Sequence, residues 1–201
     1  MPKLILFVLG CLNMLLCSAQ KNYGVDQDYY IYQNQRGSIV PTVYYQTKNN
    51  WYASLRYNYE EEETVSVQLG KTFSKEGIAS YAITPLVGLL AGKFKGAGVG
   101  TLAELEVGKF SFYTEPEYCI RFNKPDENFF YNWSELSIQP SNFFYTGLAL
   151  QTIKTRHEPY LFEPGFVLGF TIRNFEIPFY LFKTSPSSNY FVAGIHWRLE
   201  K

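Results

Sequence analysis

The chain has 201 residues, enough for one substantial domain, and its 18 basic side chains are matched by 18 acidic ones. That balance excludes the basic excess of a nucleic-acid binder and the acidic excess of a solvated tail. The unusual feature is ring content: 17 Phe, 17 Tyr and 3 Trp make up 18% of the sequence.

The opening segment, MPKLILFVLGCLNMLLCSAQ, combines Lys3, an apolar run from Leu4 to Leu16, and the small residues Ser18 and Ala19. This is the order of a secretory signal peptide over residues 1–19, too short and wrongly flanked for a spanning helix. Val8 to Cys11 resembles a lipoprotein cleavage box, but the apolar run continues past it, which favours cleavage after Ala19. Cys11 and Cys17 fall in this segment, so Cys119 stands alone and no disulfide framework is available.

From Gln20 onward no stretch carries a 3.6-residue apolar stripe, and Gly, Pro, Asn and Asp recur at the spacing of an all-β protein. Residues 28–34 and 38–47 are the first two strand segments. In 51–60, Trp51, Ala53, Leu55, Tyr57 and Tyr59 alternate with Tyr52, Ser54, Arg56, Asn58 and Glu60. In 64–73, Val65, Val67, Leu69 and Phe73 alternate with Thr64, Ser66, Gln68, Gly70 and Thr72. Segments 78–92 and 97–107 follow. In 110–122, Phe110, Phe112, Thr114, Pro116, Tyr118, Ile120 and Phe122 oppose Ser111, Tyr113, Glu115, Glu117, Cys119 and Arg121. The remaining segments are 129–139, 143–153, 160–172, 175–183 and 190–199. Each is close to the length of about ten residues that a tilted strand needs to cross a bilayer.

Alternation alone does not say which face is wet, because a soluble lipocalin-like barrel would turn its fatty set inward. Lysines fall almost entirely in turns or at strand ends, whereas solvent-facing strands normally carry them. The fatty faces are also crowded with rings that a small interior could not hold without overfilling. The fatty faces therefore meet lipid and the polar faces line a lumen. Pro41, Pro85, Pro116 and Pro164 interrupt proposed strands and are expected at bulges or rims.

With twelve strands, one side of the wall receives the tight connections KNN, SKEG, GK, QPSN and RN. The other receives QRG, EEEE, GKFKGAG, NKPDEN, TRHEP and KTSPSSN. Short periplasmic turns and longer external loops are the rule for outer-membrane barrels; ten strands is the alternative count. The expected fold is all-β, a single antiparallel up-and-down transmembrane β-barrel over residues 20–201.

The expected lumen lining comprises Arg56, Glu104, Glu106, Glu115, Glu117, Arg121, Glu135, Glu163, Arg173, Glu176, His196 and Arg198. Such charges must pair or stay hydrated, giving either a structural Glu/Arg network or a selectivity lining for small cationic or polar solutes. ELE at Glu104–Glu106 and EPE at Glu115–Glu117 would bring four carboxylates together if their strands are adjacent. Glu60–Glu63 lacks the spaced ligands of a calcium loop and reads as a solvated connection. His157, in the external TRHEP connection, has no nucleophile at a recognisable spacing, and NWS at Asn132–Ser134 fits a glycosylation sequon without a context that would use it.

The export signal, the repeated amphipathic strands, the unequal connections and an aromatic final strand together resemble small Gram-negative outer-membrane β-barrels of porin-like architecture. Those proteins commonly end on an aromatic residue; here the chain runs past Trp197 to Leu199, Glu200 and Lys201. The resemblance implies a non-enzymatic narrow pore or structural surface protein in the cell outer membrane. It implies membrane lipid and the assembly machinery as partners, with no cofactor, no metal, no nucleic acid and no identifiable solute. The alternatives are a lipid-modifying barrel enzyme using His157 and a soluble periplasmic barrel holding an apolar ligand.

Overall fold

A computed structural model describes residues 22–33, 36–185 and 188–200. The expected export signal and the lipoprotein box lie outside the described residues.

The strands are β1 (Asn22–Tyr32), β2 (Ser38–Gln46), β3 (Trp51–Tyr57), β4 (Thr64–Lys71), β5 (Phe73–Lys75), β6 (Ala79–Gly92), β7 (Gly96–Val107), β8 (Phe110–Arg121), β9 (Phe129–Ser141), β10 (Phe144–Thr155), β11 (Leu161–Ile172), β12 (Phe175–Ser185) and β13 (Ser188–Glu200). β4 and β5 both pair with β6 and are separated only by Thr72, so they form one stave and the wall has twelve. Every pairing is antiparallel, and β1 closes on β13 from Asn22↔Glu200 to Tyr32↔Tyr190. The closed sheet has no edge, so every stave finds hydrogen-bond partners on both sides.

Turn chemistry explains the reversals. Asn50, Gly108, Asn123 and Arg173 all have positive φ, near 60°, at connections between staves. Glycine and asparagine enter this region most readily. Arg173 is thereby drawn out of the wall: it sits exposed in the turn between β11 and β12 and does not line the lumen as expected.

The lipid-facing assignment holds along the wall. Trp51, Val87, Leu89, Phe162, Phe166 and Phe191 are each at least half exposed, at 56%, 63%, 66%, 57%, 67% and 50%. A continuous apolar surface of this kind on a single chain is that of a protein solvated by lipid. It overturns the soluble barrel with its fatty set inward.

Three expectations need correction. The first stave starts at Asn22 and ends at Tyr32, where 28–34 was expected, because the lipid-facing set Val25, Gln27, Tyr29 and Ile31 is interrupted by Gln27. β3 stops at Tyr57, since Asn58 at φ 60 turns the chain and sends Tyr59 inward and away from lipid. The prolines do not make bulges. The pairing runs straight through Gln27↔Pro41, Pro85↔Thr101 and Leu150↔Pro164. Beside Pro116 the β7–β8 ladder lapses between Gly100↔Glu117 and Ala103↔Thr114 and resumes in the same register. Each proline removes one donor and leaves the register intact.

Candidate functional site: a half-filled lumen

The interior divides along its length. Toward the end with short turns lies a cavity of about 770 Å³, reaching Gly108, Lys109 and Asn142. Its lining holds the carboxylates of Asp26, Asp28, Glu104, Glu106, Glu115, Glu135 and Glu176 against the cations of Arg56, Lys109 and Arg198, with His196 among them. The vestibule is therefore acidic.

Strand parity puts these groups inside, because β1, β7, β9, β12 and β13 each turn every second residue to the lumen. His196 Nε2 lies 3.0 Å from Asp28 Oδ1, and Arg198 pairs with Glu176 at 3.0 Å. Tyr180 donates to Glu135 at 3.0 Å. Glu104 and Glu106 lie opposite Tyr113 and Ser111, one step along the lumen from Glu115 and Glu117, so the four carboxylates do not converge. Register separates them, and among the described residues no group of three or more His, Cys, Asp or Glu is placed to hold a metal ion.

Toward the other end the lumen is filled. On one side the filling grows from the staves: Val167, Tyr180, Phe182, Tyr190 and Val192 form a buried cluster, with Phe182 fully enclosed at 0% exposure, and Tyr145 carries the same cluster down to the cavity. Trp133 meets Tyr180 edge-on at 4.9 Å and Phe182 stacks on Tyr190 at 5.2 Å. Such aromatic pairs each add about 0.5–1.5 kcal/mol beyond burial. Glu163 sits in this packing and accepts a bond from Tyr190 at 3.0 Å.

On the opposite side the filling centres on one guanidinium. Arg56, 3% exposed, pairs with Glu115 at 2.5 Å, with Glu117 at 2.6 Å, and with Glu60. Its plane lies 4.0 Å above the Tyr59 ring, which meets Tyr131 edge-on. Ser66 donates to Glu60 at 2.7 Å, and Tyr113 donates to Glu115 at 2.8 Å. Only arginine offers five fixed donors, enough to bind three carboxylates at once. Two of these groups, Tyr59 and Glu60, come from the connection 58–63, as Phe94 does from the connection after β6.

Arg121 lies at the rim, where its guanidinium covers Phe94 at 4.9 Å and pairs with Glu127. His157 lies on the outside of the same end, its side chain 71% exposed and 3.8 Å from Asp126. The sequence reading left out Asp26, which the late start assigned to β1 concealed, and Asp28, the first residue of the expected segment; it set Glu60 on the polar face of its strand while reading the run Glu60–Glu63 as a solvated connection. The signal for Glu60 was Asn58, a residue suited to reversing the chain.

A closed twelve-stave wall with an apolar outer belt and a polar, charged interior defines an outer-membrane β-barrel of porin-like fold. Solved porins share it: the KdgM porin in complex with disordered oligogalacturonate is 10% identical, with a TM-score of 0.64 over 87% of this chain and 98% of that one. The NanC porin is 12% identical, with a TM-score of 0.57 over 87% of this chain and all of that one. No protein-family model matches the sequence, and no curated protein matches it.

Proposed function

We propose that the protein is a non-enzymatic narrow pore for small cationic or polar solutes, closed in this conformation at its external half. The single observation that carries this reading is the composition of the seal. One side is wall, built of strand-borne rings; the other is built on the strand-borne Arg56, Glu115 and Glu117 and completed by Tyr59, Glu60 and Phe94, which belong to connections. Withdrawing those groups would open a path beside Arg56 without breaking a stave.

The sign of the vestibule supports cations. Seven lining carboxylates exceed the cations of Arg56, Lys109 and Arg198, and Arg56 is already committed to the seal. Oligogalacturonate, the solute of the KdgM complex, is a polyanion, so its fold relative here is expected to disfavour that cargo. The closing strand β13, with Phe191, Ile195 and Trp197 alternating toward lipid, is the segment on which recognition by the assembly machinery would rest.

Planar-bilayer recording tests the reading. Wild type is expected to show rare openings, and Tyr59→Ala/Glu60→Ala frequent ones with a higher conductance. No channel steps from either protein at any voltage would leave a structural barrel and remove the pore.

A further inference from the structure

The lipid-facing wall carries a polar interruption besides Gln27. On three neighbouring staves, the outward residues are Thr101 and Ala103 on β7, Thr114 and Pro116 on β8, and Asn132 and Ser134 on β9, with Thr152 of β10 opposite Asn132. Parity fixes their direction, since Leu102, Tyr113, Glu115 and Trp133 between them line the lumen. All six are small or polar and only partly exposed. Around them stand large apolar side chains: Val99 at 51%, Phe112 at 40%, Tyr118 at 43%, Leu136 at 50% and Leu148 at 55% exposed.

Three of these residues form a closed hydrogen-bond ring. Asn132 Nδ2 donates to Ser134 at 2.8 Å, Ser134 and Thr114 share a bond of 2.9 Å, and Thr114 donates to Asn132 Oδ1 at 2.9 Å. Both hydroxyl protons are thereby used. An amide has two N–H donors and two acceptor positions on its oxygen, and the ring uses one of each. Asn132 is left with one donor and one acceptor on the lipid-facing side of the wall, where an unmet polar group is costly.

We infer that this notch is the contact surface for a second copy of the chain. The unused donor and acceptor belong to the same side chain, so Asn132 is complementary to the partner's Asn132 across a two-fold axis along the membrane normal. Copies inserted in one direction hold the notch at equal depth, so the match is automatic for an identical partner and for no other protein. The recess lets the two walls approach, as small residues do at contacts between membrane segments.

The test uses the barrel in native membranes. Asn132→Cys treated with a short bismaleimide is expected to give a band of twice the chain mass, while Val87→Cys, on the lipid face of β6, gives none. Wild type purified in mild detergent is expected to have the protein mass of two copies, and Asn132→Leu that of one. Heat-modifiable gel mobility verifies that each variant is folded. Equal cross-linking at the two cysteine positions, cross-linking of Asn132→Cys to a different protein, or a single-copy mass for wild type would each overturn the inference.

Discussion

Arg56 and Glu60 are four residues apart and meet inside the barrel because Asn58, between them, adopts a φ of 60° and reverses the chain. The reversal is pinned: the Asn58 amide donates to the Ile39 carbonyl at 2.9 Å, and its Oδ1 accepts from the Glu63 backbone at 2.7 Å. The connection 58–63 is thus held by a small number of bonds at its base and by one guanidinium at its tip.

Arg56→Met is expected to destabilise the barrel by about 3–5 kcal/mol, because it strands buried carboxylates that lose their partner. Urea unfolding followed by gel mobility would read this as a lower midpoint. Arg56→Lys should rescue only part of the loss, since an ammonium lacks the planar fork that reaches Glu60, Glu115 and Glu117 together.

Opening of the pore is expected to depend on pH through Glu60. Burial holds its carboxyl above the usual carboxylate range, and Glu117 repels its charge, while Arg56 pulls the other way. A raised value means that the tucked connection binds the proton more tightly than a released one. Acid therefore favours the tuck, and stability of the tuck is lost as pH rises through the raised value. Open probability should increase from acid toward neutral pH, and Glu60→Gln should flatten that dependence.

Reversal potentials in a salt gradient should report cation preference. Asp26→Asn/Glu176→Gln removes two vestibule charges and should shift the reversal potential toward zero. An unchanged value would place the selectivity step outside the vestibule.

The two faces of a stave should respond oppositely to charge. Val87→Arg, on the lipid face, is expected to cost about 2–4 kcal/mol of folding free energy. Thr42→Arg, facing the acidic cavity, should cost little and reduce cation preference.

Lipid turnover in cells should be unchanged by His157→Ala, in keeping with a side chain that faces open solvent beside Asp126.

Stave count, lipid face and most of the lumen were legible because alternation is a strict two-residue signal. Trp51, Leu55 and Tyr57 needed nothing more than parity. The failures share a cause: they occur where one residue breaks the period. Gln27 masked the first half of β1, and Asn58 ended β3 before Tyr59. Arg173 kept the parity of a lumen residue but sits in the turn itself. Filling of the external half was also readable in principle, since Tyr30, Tyr180 and Tyr190 lie on the inward parity. Parity gives direction without depth, and only the assembled wall shows that these rings reach one another.

The pairing of β1 with β13 sets the timetable of assembly. The strand made first has no second neighbour until the strand made last is in place, so a partly translocated chain carries two unsatisfied borders. Folding must wait for the whole polypeptide, and contacts of this sequence separation form slowly. Until the seam from Asn22 to Tyr32 zips, both borders stay open to pairing with another chain.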